Sequence, residues 1–149
     1  LCDFLRPELV TANLAAKTKE EAIDALLGLL TAAGLVKDPP TARETILERE
    51  RAMSTGIGDG IAIPHARSEA VNSLVCAIGI SRSGLAYGSL DGKPAHIIIL
   101  TLSPRADPAP HIQFMSAVSR ALTPATRRRI MAARSAKGII EAILSPAQP

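Results

Sequence analysis

Apolar residues along this chain follow two different periods. Ile23, Leu26, Leu27 and Leu30 fall on one face at helical spacing. Ahead of them Thr18-Lys19-Glu20-Glu21 reads as a capping box, the Thr18 hydroxyl and the Glu21 carboxylate each meeting an orphan N–H, and Gly34 is the stop. Thr41-Ala42-Arg43-Glu44 repeats the signature after Pro39-Pro40 and predicts a second helix to about Met53, with Ile46 and Leu47 inward. Glu48, Arg49, Glu50 and Arg51 read as a solvated face near the start of a glycine-rich loop.

The period then shortens. Ile61–Ile63 is a short strand, Leu74–Ile80 a longer one ending near Gly79 and Ser81, and Leu85–Leu90 a weaker strand or turn. Asp91-Gly92 marks a turn before Ala95–Leu102, the strongest buried strand, with His96-Ile97-Ile98-Ile99-Leu100 at its heart. Pro104, Pro108 and Pro110 predict a loop, after which His111 opens a helix carrying Ile112, Met115, Val118 and Leu122. Thr123-Pro124 starts another helix, and Ser135 caps a last one bearing Ile139, Ile140, Ile143 and Leu144, ended by Pro146. Helices and strands interleave without repeat or linker, so residues 1–149 are expected to form a single α/β domain.

Composition narrows the function. At 149 residues the chain is long enough for a core without staples, and with 47% apolar but only 2% aromatic residues that core is aliphatic. Phe4, Tyr87 and Phe114 cannot furnish a base-stacking platform, so a nucleic-acid partner is not expected. Arg127-Arg128-Arg129 does not change this, because consecutive helical side chains fan apart and cannot all face one groove. A net charge of +3 leaves an acidic protein partner open. No apolar run reaches the ~18–20 residues that span a bilayer and no signal-peptide pattern is present. Cys2 and Cys76 form neither a disulfide framework nor a metal pair, which points to a reducing cytoplasm, with Cys76 a small core residue. The chain opens on Leu1 rather than Met, as a piece of a longer protein would.

The chemistry concentrates in residues 54–66, Ser-Thr-Gly-Ile-Gly-Asp-Gly-Ile-Ala-Ile-Pro-His-Ala. Gly56, Gly58 and Gly60 at alternate positions accept φ > 0 and let backbone N–H groups approach a ligand. Pro64 cannot continue a central ladder, so Ile61–Ile63 is expected to carry His65 to the sheet rim. A neutral imidazole is a competent nucleophile toward phosphorus, and an ordinary histidine pKa of ~6.5 leaves most of it neutral near pH 7. The harder task is holding a phosphoryl group in line, which calls for positioned donors. The Thr55–Gly60 amides and the Thr55 hydroxyl are the available candidates, whereas His111 by itself reads as a structural residue in the first turn of a helix. His96, on a buried strand, reads as a packed histidine.

Glu48-Arg49-Glu50, the loop Ser54–Gly60, Ile61-Ala62-Ile63-Pro64-His65-Ala66, Asp91-Gly92-Lys93-Pro94, Leu102-Ser103-Pro104 and the His111 helix together resemble one family over nearly the whole chain. This is the fructose/mannitol-type enzyme IIA domain of the phosphoenolpyruvate-dependent sugar phosphotransferase system, with its nitrogen-regulatory relatives. The resemblance implies a mixed, mostly parallel sheet of about five strands with helices on both faces. It implies a phosphocarrier in which His65 takes a phosphoryl group from a histidine-phosphorylated carrier protein of the HPr kind and passes it to a IIB-type acceptor. His111 would be the second active-site histidine and Arg49 an arginine near it, with no cofactor and no metal. Nothing matches a Walker pattern.

Two other function classes bear on the same residues. In a regulatory module, phosphorylation of His65 adds about two negative charges and switches binding to a target protein. A metal-dependent hydrolase built on His65, His96 and His111 is disfavoured, because no His-x-x-x-His pair or carboxylate partner has ligand spacing.

Overall fold

A computed structural model describes residues 2–145; the stop expected at Pro146 lies outside them. After a 3-10 turn at Pro7–Leu9 come β1 (Val10–Thr11), α1 (Lys19–Ala32) and α2 (Pro39–Ala52). The short strands β2 (Gly56–Gly58), β3 (Ile61–Ala62) and β4 (His65–Arg67) precede the long β5 (Val75–Leu85) and β6 (Ala95–Ser103). α3 (Ala109–Ala121), α4 (Pro124–Ala132) and α5 (Ala136–Leu144) close the chain. The six-stranded sheet runs β1-β5-β6-β3-β2, with β4 also on β6. β1–β5, β3–β6 and β4–β6 are parallel, whereas β5–β6 and β2–β3 are antiparallel. This is the expected mixed, mostly parallel sheet.

Each face of the sheet carries its own aliphatic core. Ile98, Leu100 and Leu102 of β6 pack with Ala62 and Ala66 under α1 and α2, through Ile23, Leu26, Leu30 and Ile46. The alternate residues Ile97 and Ile99 pack with Ile61, Ile63, Cys76 and Ile78 under Phe114, Val118, Ile130 and Ile139. The period-2 alternation of β6 therefore divides the helices between two layers. Cys76 is buried, and burial pushes its thiol up to about 12. It is a core residue, as the sequence suggested. Among the described residues no helix is long and apolar enough to cross a membrane.

Local signals set most boundaries. Thr18 caps α1 by accepting from the Glu21 N–H at 3.1 Å, though Glu21 Oε2 reaches the Lys17 N–H rather than that of Thr18 itself. α2 starts earlier than expected. Its cap is Asp38, whose carboxylate accepts from the Thr41 N–H and hydroxyl, and Pro39 and Pro40 occupy the first turn where no N–H is needed. β5 runs past Gly79 to Leu85 because β6 continues beside it, pairing Gly79 with Ile98 and, after an irregularity, Leu85 with Ala95. Residues 86–90 then leave the sheet. α3 begins two residues before His111, placing that histidine in its first turn. Arg82 donates to the carbonyls of Ala12, Met131 and Ala133 at 2.6–2.9 Å, fastening β5 to the α4–α5 connection.

The charged run at the end of α2 is not uniformly solvated. Glu50 is only 5% exposed. Its carboxylate accepts from Lys19 Nζ at 3.0 Å, the Tyr87 hydroxyl at 2.9 Å, the Thr55 N–H at 3.2 Å and the Thr55 hydroxyl. The Lys19 ammonium also lies 4.5 Å from the centre of the Tyr87 ring. Burial raises the Tyr87 phenol pKa, so the side chain remains a donor. One carboxylate thereby joins α1, α2, the entry to β2 and the segment after β5.

Removing one partner from such a cluster strands the others. Glu50→Ala is expected to lower unfolding free energy by about 3–5 kcal/mol, and Tyr87→Phe by about 1–3 kcal/mol. Urea titration of each variant checks this; wild-type midpoints in both would refute it.

Candidate functional site

β3 and β4 are one strand interrupted. Ile61 and Ala62 pair with Ile97 and Ile98, and after the break His65, Ala66 and Arg67 pair with Thr101, Leu102 and Ser103. Pro64 lies in the gap and has no N–H to give the ladder, although its carbonyl still accepts from Thr101. The Ile63 N–H turns instead to the Thr55 carbonyl. The Ile63 carbonyl meets His65 Nδ1 at 2.8 Å. A carbonyl only accepts, so Nδ1 carries the proton and the lone pair is on Nε2.

His65 is half-buried, and its ring centre lies 4.9 Å from that of His111 at an interplanar angle of 33°. The pairing brings together the expected two histidines from elements more than forty residues apart in sequence. Burial, then the neighbouring His65 and Arg67, hold the His111 imidazole below the usual histidine pKa. The neutral ring is therefore favoured near pH 7.

Arg67 was not singled out from the sequence. Period-2 alternation puts it on the same face as His65, and that is the signal that could have found it. Its guanidinium donates to the Arg105 carbonyl at 2.5 Å, and Arg105 returns a contact to the Arg67 carbonyl at 3.5 Å. Two cations thus border the rim where β4 and β6 end. Arg49 lies near the end of α2, which packs against β4, and donates from Nη1 to the Met53 carbonyl at 2.9 Å.

The glycine loop departs from expectation. Gly56, Gly58 and Gly60 build a hairpin whose two-residue turn is Asp59-Gly60, both at positive φ (57° and 79°), a type I′ geometry. Gly60 contacts β6 through His96 and Ile97, and the four residues from there to Thr101 span about 13 Å. The hairpin tip therefore points away from His65. Two of its donors are bonded within the fold, the Gly56 N–H to Ser54 Oγ and the Asp59 N–H to Asp91. A Cβ on Gly56 would lie 2.4 Å from Ser89 Oγ, so close packing against the 88–91 segment explains that glycine. The Thr55 N–H and hydroxyl go to Glu50. The N–H groups of Thr55 and Gly56 are thus bonded within the fold, and those of Gly58 and Gly60 belong to the hairpin turn.

His96 sits away from the pair, its Nδ1 bonded to the Ser81 carbonyl at 2.9 Å, as a packed histidine would be. Arg127, Arg128 and Arg129 fan out, Arg127 reaching the Leu122 carbonyl and Arg129 that of Ser145. Among the described residues no group of three metal-ligating side chains occurs. A groove of about 370 Å³ continues from Ile63 between the hairpin and α3, lined by Ile57, Ile61, Met115, Val118 and Arg127 among others.

Comparison with known proteins places this geometry. Residues 3–145 match the family described as "Phosphoenolpyruvate-dependent sugar phosphotransferase system, EIIA 2". The fructose-specific EIIA component of Haloferax volcanii is 36% identical over 138 residues, 93% of this chain and 90% of that protein. The fructose-specific EIIABC component of Bacillus subtilis is 35% identical over 144 residues, 96% of this chain, which spans only 23% of that longer protein. A nitrogen regulatory protein of Escherichia coli is 30% identical over 147 residues, 96% of this chain and 88% of that one. Among solved structures, the Escherichia coli enzyme IIAMTL in complex with phosphorylated enzyme IIBMTL superposes with a TM-score of 0.81 at 25% identity, covering 94% of this chain and 96% of that one. With its interrupted strand, paired histidines and matched length, the chain belongs to the EIIA 2 family of the phosphoenolpyruvate-dependent sugar phosphotransferase system.

Proposed function

We propose that His65 Nε2 carries a phosphoryl group between proteins, receiving it from the phosphohistidine of an HPr-like carrier and delivering it to a IIB-type acceptor in sugar uptake. The observation that carries this reading is the 2.8 Å bond from His65 Nδ1 to the Ile63 carbonyl, which directs the free lone pair to Nε2 beside His111. That lone pair attacks phosphorus, the donor's P–N bond breaks, and the donor imidazole leaves with the bonding electrons. The Nδ1 proton stays on His65 throughout. It keeps the phosphorylated ring a good leaving group for onward transfer, so atoms and charge balance without metal or nucleotide.

Other groups assist by charge and hydrogen bonding. Neutral His111 donates from Nε2 to a phosphoryl oxygen, and Arg49 and Arg67 supply positive potential at the rim. Exposed Met53, Ile57 and Ile112 lie on the elements framing the histidine pair and give a protein partner apolar surface to cover. Residues 1–149 act as one carrier unit. We place the reaction in the cytoplasm, which suits the free thiols Cys2 and Cys76. The nitrogen regulatory relative supports a second role, in which the added charge on His65 governs binding to a target protein.

Incubation with phosphorylated carrier tests the main reading. Wild-type protein is expected to acquire acid-labile, base-stable phosphate and lose it to a IIB domain. His65→Ala should not label, and Arg49→Ala should slow transfer by about a hundredfold. Labelling of His65→Ala refutes the assignment; labelled protein that no IIB domain discharges favours regulation.

The histidine pair has its own pH signature. The His111 midpoint, followed by NMR, should fall below the ordinary ~6.5 in the resting protein. Because the folded value is depressed, the unfolded chain binds more protons, and stability from neutral His111 is lost as pH falls from about 6.5 toward that midpoint. Phosphorylation of His65 brings negative charge beside the ring and should move the midpoint upward. A midpoint unchanged by phosphorylation would separate His111 from the phosphoryl group.

A further inference from the structure

Among the described residues, four buried polar side-chain atoms have no hydrogen-bond partner: Ser89 Oγ, Thr101 Oγ1, Ser103 Oγ and His111 Nδ1. Ser89 packs against Gly56. The other three are linked through His65 and the end of β6. Thr101 pairs across the sheet with His65, and Ser103 with Arg67. Residues paired in register share a face, so both hydroxyls lie on the side of β6 that carries Ile97 and Ile99 beneath α3. On α3, Phe114 and Val118 face that layer, and His111 precedes them by three and seven residues, on the same stripe. Its ring centre lies 4.9 Å from that of His65, the residue that Thr101 pairs with.

Thr101 and Ser103 are each completely buried. Leaving a hydroxyl unsatisfied there is costly, and two adjacent cases beside a half-unsatisfied imidazole call for a common partner. Cys76, on the other side of Thr101, does not supply it, since its thiol is directed to the Phe4 carbonyl at 3.7 Å. Buried waters in proteins make about three hydrogen bonds to groups that lack other partners. Here the inventory matches: two hydroxyl donors and one ring nitrogen.

We propose that Thr101 Oγ1, Ser103 Oγ and His111 Nδ1 form a buried single-water site that fixes the tautomer of His111. The two hydroxyls donate to the two lone pairs of the water. The water's own proton then goes to Nδ1, which must be unprotonated. The His111 proton is thereby confined to Nε2, the nitrogen that faces the phosphoryl oxygens. Thr101 and Ser103 are positioning residues, acting on the phosphoryl group only through His111. The two histidines consequently hold opposite tautomers: His65 with its proton on Nδ1, His111 with its proton on Nε2. The catalytic consequence rests on the phosphocarrier reading above, whereas the tautomer is a property of the resting protein.

Long-range nitrogen–proton NMR on the uniformly labelled chain, unphosphorylated and above the His111 midpoint, reads the tautomer directly. His111 is expected to show a protonated Nε2 and a bare Nδ1. A His111 carrying its proton on Nδ1 overturns the proposal, whether or not His65 accepts phosphate. The double variant Thr101→Val, Ser103→Ala should mix the two tautomers and lower the rate of transfer about tenfold at unchanged KM for the carrier. Thr101→Ser and Ser103→Thr, which keep the hydroxyls, should restore both. If the double variant slows transfer but leaves the His111 tautomer intact, the hydroxyls act elsewhere and the water site is wrong. Failure of wild-type protein to label His65, with the tautomer as expected, would instead defeat the phosphocarrier reading alone.

Discussion

The arrangement of the site depends on the register of β3 and β4 along β6, which runs unshifted through Pro64. β6 accepts β5 along one side and offers the other to β3 and β4, which differ only in lying before and after Pro64. Gly60 and Pro64 turn their carbonyls to β6, and Ile63 between them faces the other way, its N–H on the Thr55 carbonyl. On that outer side the Ile63 carbonyl takes the imidazole proton of His65, so the position of a backbone carbonyl decides which ring nitrogen is nucleophilic. Register does the rest. It sets His65 beside Thr101 and Arg67 beside Ser103, and these four positions fix where the first turn of α3 must bring His111.

A second constraint lies on the opposite layer. The Glu50 carboxylate gathers donors from α1, the β2 entry and Tyr87, and it follows directly after Arg49. The buried cluster fixes the last turn of α2, and with it the stem of an arginine that the resemblance places near the active site. Fold stability and presentation of Arg49 are therefore linked through adjacent residues on one helix. Burying an ion pair is seldom profitable by itself, and the surrounding hydrogen bonds make this one tolerable.

Much of this was legible in the chain. The apolar periods at Ile23–Leu30 and Ala95–Leu102, together with the string ending in Pro64-His65, carried the two-layer fold and the nucleophile. What the sequence hid were contacts between residues remote in order. Helical spacing puts Glu50, unlike Glu48, on the inward face with Ala42, Ile46 and Leu47, but what makes a carboxylate tenable there is the arrival of Tyr87 and Lys19 from elsewhere in the chain. The alternate glycines suggested a phosphate cradle, since glycine serves equally for ligand approach, for a type I′ turn and for close packing. Here Gly60 serves the turn and Gly56 makes room for Ser89. The α2 start was misplaced for a similar reason: Asp38 and Thr41 are both good caps, and only the two prolines between them, fitting a first turn, decide for Asp38.

The single tyrosine of a chain without tryptophan donates its hydroxyl to a carboxylate inside the fold. A phenol held in that way loses its excited state to the acceptor and emits weakly. Melting the Glu50 cluster would release the ring into water and brighten it. The protein therefore carries an intrinsic optical gauge of its own integrity, located in the layer opposite His65.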